Sequence, residues 1–167
     1  MQIPAEAFIH TTWSDLPPGS LAKYKNDWLL VIDEKGARGK FGALIVNGKF
    51  RGTVYDFGQE NPRVLALAEG YSWRAVLSET SSSTTSEGKR GALMIGPHGP
   101  FLKSFVGEQD DEGLVVGLDG KLQMLQHPHH LMAESWAAHL VNSAGEAKWE
   151  LFEVDVQSNV APHMIIG

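Results

Sequence analysis

Two dipeptides, Asn47-Gly48 and Asp119-Gly120, each separate runs in which apolar and polar residues alternate. Alternation is the period of a half-buried strand, and a short Asn-Gly or Asp-Gly step is the strongest local signal for a tight hairpin. The pattern therefore restricts the chain to folds built largely from antiparallel hairpins. In Phe41 to Tyr55, a two-residue type I′ turn at Asn47-Gly48 would pair Val46 with Lys49, Ile45 with Phe50, Leu44 with Arg51 and Phe41 with Val54. One face, Phe41, Ala43, Ile45, Phe50 and Val54, is then expected to be core. The other carries Lys40, Lys49, Arg51, Thr53 and Tyr55 around Leu44 and Val46 and is expected to be half exposed and basic. The same geometry at Asp119-Gly120 sets Val115 against Met124, Leu114 against Leu125 and Glu112 against His127.

Trp28-Leu-Leu-Val-Ile-Asp33 reads as a strand apolar on both faces, as in a barrel or sandwich interior. The glycines that follow, Gly36 and Gly39, precede another strand, so they form a turn; a phosphate loop would open a helix. Two segments carry helical signals. Asn61 to Gly70 has a capping residue, a Pro at the first helical position and a closing Gly. His130 to Val141 places Leu131, Met132, Trp136, His139 and Leu140 at helical spacing, against the alternative of a strand pairing with Trp149 to Val156. Thr80 to Gly88 has no apolar anchor and is expected to be a surface loop, joining strands at Trp73 to Ser78 and Gly91 to Ile95. The turn Gly96 to Pro100 then leads into a further strand at Phe101 to Val106. The predicted fold is α+β: a predominantly antiparallel β-sheet curled into a barrel or sandwich, with one or two short helices and a single domain over residues 1–167. Echoes of a Gly-Ala-Leu type run near Gly42, Gly91 and Ala138, about fifty residues apart, would suit a threefold barrel of six hairpins as an alternative.

Composition narrows the function. The chain has no cysteine, which excludes disulfides, thiolate catalysis and thiolate metal sites. No basic start followed by an apolar run resembles a secretory signal, and the longest apolar runs are too short to span a bilayer, so a cytoplasmic location without membrane association is expected. The net charge of −6 is distributed unevenly. Residues 1–103 hold 12 Lys/Arg against 10 Asp/Glu, whereas residues 104–167 hold 2 against 10. An acidic field of this kind repels nucleic acid and attracts cations or a basic partner.

No Walker loop, His-Glu-x-x-His motif or EF-hand occurs, and Gly70-Tyr-Ser-Trp-Arg74 lacks the second glycine of a nucleophile elbow. The expected function is accordingly a non-catalytic binding or assembly protein, such as an accessory subunit, an inhibitor or immunity-type protein, or a phage-related component. It would engage a protein partner or a second copy through Asp110, Asp111 and Glu112, and through Trp13, the tryptophan expected to be partly exposed. The alternative rests on His127-Pro-His129-His130 with Glu134 behind it. His-x-His followed by Glu resembles the first ligand motif of cupins, although no Pro-x-Gly-x-x-His element follows and His163 is the later histidine that remains. The resemblance implies a small metal-binding or metal-dependent barrel in which His127, His129 and Glu134 serve a divalent ion; the hairpin register adds Glu112, opposite His127, as a further ligand, with His139 as a helper.

Overall fold

The structure is a computed structural model that describes residues 2–36, 38–78, 80–84, 89–105, 113–124 and 129–156. Its strands are β1 (Phe8–Thr12), β2 (Leu21–Tyr24), β3 (Asp27–Lys35), β4 (Phe41–Ile45), β5 (Val54–Tyr55), β6 (Arg63–Leu67) and β7 (Ser72–Leu77). There follow β8 (Ser81–Thr84), β9 (Leu93–Gly96), β10 (Gly99–Lys103), β11 (Val115–Gly117), β12 (His129–Ala133), β13 (Ser135–Val141) and β14 (Ala147–Asp155). They form three antiparallel sheets ordered β1-β6-β2-β3-β4-β5, β11-β10-β9-β12-β8 and β14-β13-β7. The β-rich reading holds. Among the described residues no sheet closes into a barrel, and the helical part is confined to two three-residue 3-10 turns, Ala5–Ala7 and Trp13–Asp15.

Strand β3 explains how the sheets share a core. Trp28, Leu30 and Ile32 point to one side and pack with Leu93, Leu102 and Val116 of the second sheet and Trp136, Ala138 and Phe152 of the third. Leu29 and Val31 point to the other side, where they pack with Trp13, Phe57, Val64 and Ala66. Both faces of β3 are therefore buried, which is why its sequence shows no alternation. Trp136 lies at the centre of the shared core, 1% exposed, and its indole N–H donates to Gly91 O at 2.7 Å. That bond removes the cost of burying the indole nitrogen.

Both expected helices are strands. Over residues 63–67 burial alternates, with Val64 and Ala66 inside, and β6 is paired on both sides by β1 and β2. Asn61 caps no helix: its Oδ1 accepts Ser14 N–H at 2.9 Å and its Nδ2 donates to Ser14 Oγ at 2.8 Å. Over 129–141 the chain breaks at Glu134 into β12 and β13, and Trp136, Ala138 and Leu140 are buried at strand spacing. The alternative pairing is the one found, with Trp136 opposite Val154, Ala138 opposite Phe152 and Leu140 opposite Trp149. Helix propensity is a weak preference that pairing on both edges of β13 overrides. Part of the serine-rich stretch expected as a loop is likewise strand β8, paired with β12.

Both expected hairpins exist, and both have a different register. In the first, Leu44 faces Val54 and Ala43 faces Tyr55. Of Asn47 and Gly48 only the glycine has positive φ, 75°, whereas a type I′ turn needs it at both central residues. The strand end is committed elsewhere, since Val46 N–H donates to Trp28 O at 3.0 Å and Asn47 Oδ1 accepts Trp28 N–H at 2.7 Å. Arg51, expected on a half-exposed basic face, is buried as a result. In the second hairpin Val116 bridges Leu122, Gly117 N–H donates to Lys121 O, and Gly120, at φ 79°, closes a three-residue loop. This is a turn with a glycine bulge, one residue longer than assumed, so Val115 does not face Met124.

Candidate functional site

The residues singled out from the sequence fall in different places. Asp110, Asp111, Glu112 and His127 lie outside the described residues, as does the expected Glu112–His127 pairing. His129 begins β12, opposite Thr84. Glu134 sits between β12 and β13 and forms an ion pair with Lys89 at 2.8 Å. His139 lies on β13 between Arg74 and Glu150 of the flanking strands. Among the described residues no three His, Asp or Glu side chains are grouped as metal ligands. The expectation that Trp13 is partly exposed is corrected: it is 1% exposed, its indole N–H donates to Phe41 O at 2.7 Å, and its ring lies 5.0 Å from that of Phe57. Its polar neighbours suggested a surface position, but the 3-10 turn at Trp13–Asp15 carries the indole inward over the first sheet.

One cleft, of about 320 Å³, opens where the first sheet, the third sheet and the 117–122 hairpin meet. Leu21 of β2 and Ala66 and Leu67 of β6 form its apolar floor. Tyr71 and Trp73, at the start of β7, form one wall, and Pro18, Gly19 and Asp119 form the other. Ser20 and Ser72 add hydroxyl groups, and among the described residues Asp119 is the charged one lining the space.

This wall depends on two glycines that let backbones cross at close range. Gly19 N–H donates to Val31 O at 2.8 Å, and Asp33 N–H donates to Gly120 O at 2.7 Å. A Cβ on Gly120 would lie 2.3 Å from both Gly19 N and Val31 O, and one on Gly19 would lie 2.7 Å from Asp119 O. The Pro-Pro-Gly loop and the Asp-Gly turn are thus locked together, with Asp119 at the tip. Asp119 Oδ1 accepts Lys121 N–H at 3.0 Å, which fixes the carboxylate on the turn. Opposite, the half-buried Trp73 donates its indole N–H to Gly19 O at 3.3 Å, which ties the aromatic wall to the loop that packs against the Asp-Gly turn.

No family of proteins, no curated protein and no solved structure matches this chain.

A second polar cluster is structural. Arg51, 2% exposed, donates from Nε to Arg90 O at 3.1 Å and from Nη1 to Gly48 O at 3.2 Å. Burial lowers its pKa and the Asp155 carboxylate offsets part of that. Arg90 and Lys103 lie over the Phe105 ring at 5.4 and 5.2 Å, so the cluster ties the 46–53 connection to the second sheet.

The sequence singles out neither Tyr71 nor Trp73 for binding, and it marks Asp119 as a turn residue. The cleft walls are some fifty residues apart in the chain, and no local motif marks their meeting.

Proposed function

We propose that the chain is a non-catalytic binding or assembly protein that engages a protein partner, with the cleft at Tyr71, Trp73 and Asp119 as the anchoring point. We place it in the cytoplasm as a single domain. The observation that carries the reading is the cleft's make-up: an apolar floor, two aromatic side chains and one fixed carboxylate, on walls that hydrogen bonds hold in place. Interface anchors are side chains that fill small, well-packed pockets, and aromatic residues are enriched where they do so. A volume of about 320 Å³ is at the small end of the range for ligand clefts, about 300–1,000 Å³, and suits one inserted side chain. The acidic balance of residues 104–167 favours a basic partner. No helix among the described residues is long and apolar enough to cross a membrane.

Site-specific photo-crosslinking in the cells that make the protein tests this reading. A crosslinker at Ser72, exposed on the cleft's lip, should give a discrete heterologous adduct that Trp73→Ala abolishes. The same group at His98, exposed on the second sheet between β9 and β10, should give none. Equal labelling from both positions, or none from Ser72, would contradict it.

A further inference from the structure

We infer that the cleft takes an arginine side chain of the partner. The inference rests on the protein-binding reading above and adds the chemistry of the occupant.

The lining separates into the parts such a side chain needs. The half-buried Leu16, Pro18 and Leu67 offer apolar surface along which a three-carbon stem packs, in the way long cationic side chains cover hydrophobic ground. Tyr71 and Trp73 supply π-systems, and a planar guanidinium stacks on aromatic rings better than a compact ammonium does. Among the described residues Asp119 supplies the charge in the lining, and it is negative. Its Oδ1 bond to Lys121 N–H holds the carboxylate in place before the ligand arrives, so little ordering entropy is lost on binding. A carboxylate also matches the forked donors of a guanidinium, giving charge-assisted hydrogen bonds that a neutral side chain cannot form.

The occupant's size is limited as well. The cleft is too small for a nucleotide with its base, sugar and phosphates, and the Asp119 carboxylate would repel the phosphates. A neutral sugar could use the aromatic wall and the Ser20 and Ser72 hydroxyls but would leave the Asp119 charge uncompensated. The charge therefore selects the cation.

The test uses the whole chain and NMR titration with N-acetyl-arginine amide, its neutral isostere N-acetyl-citrulline amide, and glucose. The expected result is that signals of Tyr71, Trp73 and Asp119 move with the arginine compound, at least about tenfold tighter than with citrulline, because one charge-assisted hydrogen bond is worth about that factor. Asp119→Asn preserves the turn acceptor and should remove the preference, leaving both compounds equally weak. Added salt should reduce arginine binding alone. The inference is overturned by equal binding of citrulline, by tighter binding of glucose, by shifts that map away from the cleft, or by no shift at all. An adduct at Ser72 without any arginine preference would defeat this inference and leave the protein-binding reading standing. Arginine selectivity without a Ser72 adduct would defeat the protein-binding reading and leave only the cleft's preference for a guanidinium.

Discussion

Replacing Gly120 with alanine tests the crossing on which the cleft wall depends, and Gly145→Ala is its control. Both glycines sit at nearly the same positive φ, 79° and 80°, in turns between strands. An alanine forced into that region costs about 1–2 kcal/mol at either site. Beyond this the sites differ. A Cβ at Gly145 meets nothing within 4 Å, whereas one at Gly120 lies 2.3 Å from both Gly19 N and Val31 O, which are backbone atoms that cannot rotate away. To admit the methyl group the loop must separate, and the hydrogen bond between Gly19 N and Val31 O, 2.8 Å long, must open beside a fully buried residue. Leaving those groups unpaired costs about 1–3 kcal/mol, and loss of the bond between Asp33 N and Gly120 O adds about 1 kcal/mol. Gly120→Ala should therefore lose about 2–4 kcal/mol more than Gly145→Ala. Urea unfolding followed by tryptophan fluorescence reads this directly, and with a slope of about 2–3 kcal/mol/M the Gly120 variant should unfold about 1 M earlier than the control. Coincident midpoints would show that the two loops do not cross as described.

Four further substitutions probe other parts of the account. Trp136→Phe removes the donor to a buried carbonyl at Gly91 and should cost about 1–3 kcal/mol in urea unfolding. Trp149→Phe should cost nothing measurable or stabilise, because the indole nitrogen of Trp149 is buried without a hydrogen-bond partner; a loss comparable to that of Trp136→Phe would contradict this. Burial raises the pKa of Asp27, with Lys49 opposing, so the folded state favours the protonated carboxyl, and stability falls as pH rises through the folded-state value. Asp27→Asn should accordingly raise the melting temperature at pH 7 and lose that advantage below the usual carboxylate range; a gain that persisted at low pH would refute the assignment. Lys25, at φ 55°, opens the two-residue loop between Tyr24 and Asp27, and Lys25→Gly should stabilise by about 0.5 kcal/mol once glycine's own entropy is counted; a clear loss would refute it.

Much of the strand content could be read from the sequence because it depends on local pattern. Trp28 to Ile32 announced a doubly buried strand, and Asn47-Gly48 and Asp119-Gly120 marked real turns. Register could not be read in the same way. It is set by Asn47 bonding to Trp28 and by the glycine bulge at Gly120, and neither shows in a dipeptide. Asn61-Pro62 misled because the same residues that cap a helix also bridge loops, here to Ser14. His130 to Val141 misled because good helix formers still accept strand geometry when β7 and β14 pair on both sides. The site was the least legible part: Gly19 meets Gly120, and Trp73 meets Gly19, only through the packing of three sheets.

Hydrogen–deuterium exchange on the complex with the partner recovered at Ser72 tests the central claim most directly. Binding at the cleft should slow exchange at residues 18–21, 66–73 and 117–121, leaving 93–103 of the second sheet unchanged. Protection centred on the second sheet, with no slowing around Trp73 and Asp119, would contradict the assignment of the cleft as the binding site.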